Sequence, residues 1–394
     1  VRTQPENPAA GEDRAGDLWT SDAGVVMNSY RVFRVYGLLA AVVATACGSG
    51  ESGSGTAAGD ATSCENCSLS LVPTVRLASE FSEATARYPA RVVRLADGDY
   101  AVGPTFDPGT VARFSSDGEF EASIGRYGEG PGEMEEIHEP LAWSGDSLAV
   151  LHDVNEVTVF SDDGTPARSI RIDSRSFLTR DVLPTSGGTF LARRTGTGGG
   201  DDFALREYSP SGDPLRSFGS EAPLGGGRIY AALVEDGNTI YALDTRRYEI
   251  DIFTTDAEPV TVARRLQWFP PDSPRNEWGG RPSVSDAALY GPGELAVLVQ
   301  RPRAEFELPR TRSSSGPAEA AGRRMDHRDR MERYEQFIEI IDAATGEAIA
   351  SSPVEIGWVG GFVEGSQVFT YDLDLESGRS GVQLWDVTVA GRPQ

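Results

Sequence analysis

Short alternations of apolar and polar residues, each ended by a tight-turn signature, recur along the chain from about residue 90 onward. Segments 114–118 (FSSDG), 160–164 (FSDDG), 208–212 (YSPSG) and 253–257 (FTTDA) occupy equivalent places, their first residues 46, 48 and 45 apart. In each, an aromatic side chain can point inward at the end of a strand. Gly then supplies the positive φ of the turn, and Asp or Ser bonds nearby amides. A second apolar strand precedes each one: 100–102 (YAV), 148–151 (LAVL), 190–192 (FLA) and 240–243 (IYAL). The pair returns twice more, as 295–298 (LAVL) with 337–341 (FIEII) and as 368–371 (VFTY) with 382–385 (VQLW), which makes six copies.

Six units of about 46 residues, each long enough for four short strands, predict an all-β fold, a six-bladed β-propeller of four-stranded antiparallel blades. The strand at 69–77 precedes the first unit, so it is expected to pair with the last blade and close the ring, removing exposed sheet edges. No long stretch of the repeats has a 3.6-residue apolar period, which excludes a helical solenoid. Two β-sandwiches would not need six equivalent copies. The residues left over fall largely in one insertion, 301–335, with nine arginines against six acidic residues between positions 301 and 333. Pro302, Pro309, Ser313, Ser315 and Pro317 are expected to break any strand there. The insertion should therefore be a surface appendage in which only 317–334 could form a short polar helix.

Charge changes the picture of partners. Sixty acidic residues face 36 basic ones, net −24, and every basic residue is Arg. Such a polyanion is repelled by phosphate backbones, so no nucleic-acid partner is expected. With no Lys, Schiff-base chemistry and a P-loop Lys are excluded.

The first 63 residues are read as an address. Residues 1–26 carry no periodic apolar pattern, and Met27 is taken as the start of a signal peptide over 27–46. Arg31 and Arg34 form its positive region, and 35–46 (VYGLLAAVVATA) is an apolar run too short to span a bilayer. The run ends in Ala44, Thr45, Ala46, Cys47 and Gly48, which resembles the lipobox of bacterial lipoproteins, with Ala44 where Leu is usual. That resemblance implies lipidation at Cys47 and export to the cell envelope. Residues 47–63, Gly- and Ser-rich, form a flexible tether ahead of a propeller at 64–394. Cys64 and Cys67 (CENC) are the remaining cysteines. In an exported protein the pair reads as a disulfide, since no second CxxC or nearby His completes a zinc set and Ser68 rather than His follows Cys67.

The stretches 124–134 (IGRYGEGPGEM), 145–153 (GDSLAVLHD) and 157–164 (VTVFSDDG), with CENC after the tether and 337–346 (FIEIIDAATG), are similar to six-bladed β-propeller lipoproteins of the NHL/TolB-like type. The resemblance covers about 64–390. It implies the fold and no defined activity, because related propellers serve as binding scaffolds, lyases and lactonases.

Candidate chemistry is sparse. Of the three histidines, His152 is followed by Asp153 in a turn after a strand, where Asp more often bonds turn amides than ligates metal. His138 precedes Pro140 in a connection between blades, where a solvated or capping role is expected, and His327 lies in the insertion. Catalytic propellers of this kind would hold a divalent metal on the axis, but no cofactor is read from these residues. The 128–133 loop (GEGPGE) is read as a rigid turn, since it lacks Lys and brings two carboxylates that would repel phosphate. Acidic pairs 162–163 and 201–202 are read as solvated turns, lacking the alternating ligands of a calcium loop.

Numbering the strands of a blade a to d from the axis outward, the b–c and d-to-next-a connections emerge on one face, and the a–b and c–d turns on the other. Arg126, Tyr127, Glu133, His138, His152, Asp153 and the insertion arginines are all placed on the first face. A concave mouth there is the expected ligand site. The chain is therefore expected to be a membrane-tethered binding or scaffolding module for a protein, small-molecule or carbohydrate ligand. The alternative is an exported hydrolase or lyase with its active site at the same mouth.

Overall fold

The sequence repeat becomes a repeat of four-stranded antiparallel sheets in the computed structural model. The structure describes residues 64, 67–78, 89–104, 110–130, 132–143, 147–153, 155–172, 182–193, 205–218, 230–254, 257–264, 282–303, 331–374 and 379–391. The chain separates into units 1–57 and 58–394, and every described residue belongs to the second. The expected lipidation at Cys47, the signal peptide and the tether lie outside the described residues.

An outer strand from the N-terminal side, β1 (Ser68–Ala78), comes first. Blade 1 is β2 (Pro89–Arg94), β3 (Tyr100–Pro104), β4 (Val111–Phe114) and β5 (Phe120–Ile124); blade 2 is β6 (Ile137–Ala142), β7 (Leu148–His152), β8 (Glu156–Phe160) and β9 (Pro166–Arg171). Blade 3 follows as β10 (Val182–Pro184), β11 (Phe190–Arg193), β12 (Leu205–Tyr208) and β13 (Pro214–Phe218). Blade 4 is β14 (Tyr230–Asp236), β15 (Thr239–Asp244), β16 (Glu249–Thr254) and β17 (Ala257–Ala263). Blade 5 is β18 (Ser283–Gly291), β19 (Glu294–Pro302), β20 (Tyr334–Asp342) and β21 (Ala348–Pro353). Blade 6 has β22 (Val359–Glu364), β23 (Gln367–Asp374) and β24 (Arg379–Ala390), and β1 completes it, antiparallel to β24 from Ser68↔Ala390 to Ala78↔Gly381. The ring closes by this pairing, as the pattern at 69–77 predicts. Cys64 and Cys67, bonded to each other, stand immediately before β1.

Among the described residues six hydrophobic clusters form the core, one between each pair of successive blades. Leu77, Val92, Phe114 and Phe369 lie between blades 6 and 1, and Ile124, Leu148 and Phe160 between blades 1 and 2. Leu151, Phe190 and Tyr208 join blades 2 and 3, and Leu191, Ile240 and Phe253 join blades 3 and 4. Leu243, Leu295 and Ile341 bridge blades 4 and 5, while Leu298, Ile340 and Val387 bridge blades 5 and 6. The aromatic that opens each turn signature is buried in every case: Phe114, Phe160, Tyr208 and Phe253. Burying such a side chain contributes roughly 1.5–3 kcal/mol, so the repeat is a core repeat.

The turn signature also packs blade on blade. In the β4–β5 turn the Gly118 amide donates to the Ser115 carbonyl and the Ser115 amide to the Glu119 carbonyl. Gly118 has φ +90°, and a Cβ there would fall 2.3 Å from the Arg76 carbonyl oxygen of β1, so only Gly fits. The turns therefore lie against the outer strand of the preceding blade. Buried charge adds a clamp between blades 4 and 5. The Arg264 guanidinium donates to both oxygens of Glu339 at 3.2 Å, and the buried Tyr248 hydroxyl donates to the same carboxylate at 2.5 Å. Burial, with that carboxylate beside it, pushes the Tyr248 phenol well above its usual range, so it stays protonated.

The insertion is shorter than its composition suggests. β19 runs through Arg301 and Pro302, and β20 begins at Tyr334, paired as Arg301↔Glu335 and Pro302↔Tyr334. The Arg303 amide donates to the Arg333 carbonyl, so hydrogen-bonded positions on this ribbon alternate and Pro302 occupies a place where no amide is needed. That is why Pro302 does not end the strand, contrary to its reading as a breaker. The inserted residues are 303–333, and 304–330 lie outside the described residues, His327 among them. Residues 331–333 are helical.

Candidate functional site: two corners of one face

The residues singled out in sequence occupy two corners of the face formed by the b–c and d–a connections. Neighbouring inner strands meet in the order β2, β6, β10, β14, β18, β22 and back to β2. Blades 2 and 5 therefore stand on opposite sides of the ring. Arg126 to Asp153 belong to the first corner and the insertion to the second, so the two share a face but do not form a single cluster at the mouth. Strand alternation fixes which face a connection occupies, while position around the ring depends on blade count between them.

At the first corner the 125–136 connection from β5 to β6 is a closed loop. The Arg126 guanidinium pairs with Glu133 at 2.7 Å, the second Glu133 oxygen accepts the Gly130 amide at 2.8 Å, and the Met134 amide donates to the Arg126 carbonyl. Tyr127 projects from it, 65% exposed. Asp153, in the β7–β8 turn with φ +46°, ties this loop down: its Oδ1 accepts the amides of Glu135 and Glu136 at 3.1 and 2.8 Å. Its Oδ2 meets His152 Nδ1 at 2.7 Å. The other ring nitrogen, Nε2, lies 2.8 Å from the buried Thr158 hydroxyl, which is itself 2.8 Å from the Ser169 hydroxyl. His152 is 2% exposed. The reading of Asp153 as a turn residue agrees with these bonds.

His138 is not a solvated loop residue. It sits in β6, at an irregularity in the pairing with β7 between Ile137 and Glu139, and is 3% exposed. Burial pushes its pKa below the usual 6.5 against the raising influence of Glu136 and Asp153, so it is held neutral. Pro140 lies inside β6, paired with Val150, and the strand begins at Ile137, so His138 is a strand residue. Among the described residues, no group of three or more His, Cys, Asp or Glu could hold a metal ion. Of the acidic pairs, Asp163 is a solvated turn residue, its carboxyl held below the usual range by bonds from Thr165 and Ser161. Residues 201–202 lie outside the described residues.

The second corner holds a cavity of about 540 Å³ at the foot of the blade-5 ribbon. Arg301, Arg303, Glu335 and Phe337 line it from the ribbon, Met331 from the helical turn, and Glu355, Gly357 and Trp358 from the β21–β22 connection. Arg301 donates to Glu335 at 2.6 Å and lies 4.7 Å from the Phe337 ring centroid. Arg303 is 3.9 Å from the other Glu335 oxygen and donates to the Met331 carbonyl at 3.2 Å. Gln336 pins the floor, exchanging two hydrogen bonds with the Val359 backbone. The insertion arginines at its edge were singled out in sequence; Glu335, Glu355 and Trp358 were not. The signal for them is positional. Residues 354–358 (VEIGW) are the blade-5 counterpart of the 125–136 connection, with a Gly and an aromatic in a strand-free stretch.

No protein-family model matches the chain, and no curated protein matches it. Its fold is shared by solved structures. A member of the DUF4221 family from Bacteroides vulgatus is 9% identical with a TM-score of 0.56, covering 82% of this chain and 99% of that one. A candidate exported protein from Bacteroides fragilis is 13% identical with a TM-score of 0.53, covering 85% and 98%. At these identities the likeness is one of fold.

Proposed function

We propose that this chain is an exported, lipid-anchored β-propeller of the NHL/TolB-like type that works as a binding module, taking its ligand on the face of the b–c and d–a connections. One observation carries the reading. That face holds a cavity of about 540 Å³ where charged and aromatic side chains converge, a size and lining suited to a small ligand. The anchor reading rests on Cys47, the Gly/Ser tether that follows it, and the entry of the chain through β1 into the last blade. Its partners are then a membrane, through the acyl chains, and the ligand. Nucleic acid is disfavoured by the net charge of −24. The anchor is tested by Cys47→Ser in cells fed labelled fatty acid. Loss of label and of detergent partitioning is expected; retained label would overturn it.

A second reading, an exported hydrolase, has one observation in its favour. The row Asp153, His152, Thr158, Ser169 is hydrogen-bonded end to end and finishes at an exposed serine, on the outer strand β9 and not at the mouth where the hydrolase or lyase alternative expects its active site. A fluorophosphonate probe separates the two readings. Covalent labelling of Ser169 that disappears in His152→Ala would favour the hydrolase, and an unlabelled protein favours the binding module.

A further inference from the structure

We infer that the blade-5 cavity binds a neutral saccharide, an assignment that rests on the binding-module reading and names its ligand. Charge is the first observation. Among the described residues, the ionic side chains lining the cavity are Arg301, Arg303, Glu335 and Glu355, whose charges cancel. Arg301 and Glu335 already pair at 2.6 Å, and Arg303 stands 3.9 Å from the same carboxylate. The Arg301–Glu335 pair is already satisfied, so a charged ligand gains nothing there without displacing one of the two. A neutral ligand rich in hydroxyls needs no such displacement. Neighbouring hydroxyls can donate to the Glu335 carboxylate and accept from the guanidinium N–H groups beside it, since planar forks of donors and acceptors match vicinal diols as they match one another.

Shape is the second observation. Next to the ionic row the cavity offers apolar surface from Phe337, Met331 and Trp358. A pyranose has one face of C–H groups and an edge of hydroxyls, which is the same division of apolar and polar surface. The exposed Met331 side chain, with the part of Phe337 that Arg301 leaves open, serves the first, and the Arg/Glu row serves the second. Trp358 is buried and Gln336 fixes the chain beside it through Val359, so the floor is preorganised. Little ordering cost then opposes binding.

The test applies the full-length, detergent-solubilised chain to a glycan array and a peptide array in parallel, with Glu335→Gln and Arg303→Ala beside the wild type. We expect glycan binding that each substitution weakens at least about tenfold, about 1.4 kcal/mol, while thermal unfolding stays unchanged. Glycan binding indifferent to both variants, binding to peptides alone, or no binding on either array overturns the saccharide assignment. Where either array binds, hydrogen exchange on the chain with that probe separates the two failures, and no binding on either array counts against both readings. Peptide protection at 331–337 and 353–358 would leave the binding-module reading standing. Protection confined to the turns at 115–119 and 161–165 would end that reading as well.

Discussion

The two corners of the loop face contain similar residues and use them in opposite ways. At blades 1 and 2, Arg126, Glu133, His152 and Asp153 bond one another or nearby backbone, and the histidines are buried. At blade 5, Arg301, Arg303 and Glu335 line an open cavity, and the Arg303 and Glu335 side chains are 43% and 33% exposed. A concentration of polar residues therefore marks a site only where internal partners leave surface to offer. At the first corner the buried row of His152 and Thr158, tied to Asp153, holds the fold while Arg126 and Tyr127 stay exposed, and the second corner opens on the cavity.

The largest effect should come from Asp153→Ala. It leaves the Glu135 and Glu136 amides and His152 without their acceptor and places Ala at φ +46°, so a loss of about 3 kcal/mol is expected. Urea unfolding of the variant checks this, and a change within error would mean the corner is not structural. Thr158→Val should cost somewhat less, about 1–3 kcal/mol, by stranding the buried His152 Nε2 while preserving shape. Thermal unfolding of that variant is the readout.

His138 sharpens the contrast through pH. Its folded pKa is depressed below 6.5 by burial, so the unfolded chain takes up a proton more readily than the native one. This contribution to stability is whole above about pH 6.5 and is lost as the pH falls toward the folded pKa. The midpoint of urea unfolding should decline over that window, and His138→Gln should flatten the decline. An unchanged slope would place the titration elsewhere.

At blade 5 the expected stability effects are small. Glu335→Gln breaks a half-exposed ion pair and should move stability by no more than about 1 kcal/mol. Smallest of all should be replacement of residues 304–332 by Asn-Gly. Arg303 and Arg333 already hydrogen-bond, and a two-residue turn suits that spacing. Thermal unfolding should be nearly unchanged, and a collapse would show that the inserted residues pack on the ring.

Much of the fold was legible because a propeller writes its core six times. The buried Phe114, Phe160, Tyr208 and Phe253 and the Gly turns that follow three of them recur at near-constant spacing, and one strand ahead of the first repeat had to go somewhere. The site was less legible. Sequence assigns a connection to a face, but whether His138 is in a loop or a strand depends on a pairing irregularity that no local pattern displays. Pro302 reads as a breaker until the ribbon places it where no amide is required. Trp358 and Glu355 join Arg303 only through the meeting of two connections, one after β19 and one after β21, which lie about 50 residues apart.

Native-state hydrogen exchange on Asp153→Ala and Glu335→Gln, run side by side on the full chain, tests the division between the corners most directly. Asp153→Ala should lose amide protection in β6 to β8 and the 125–136 loop, whereas Glu335→Gln should keep wild-type protection throughout β19 and β20. Loss of protection in β19 and β20 of Glu335→Gln, with Asp153→Ala unaffected, would mean that the ionic row at blade 5 holds the ring together and the first corner is the one free to act.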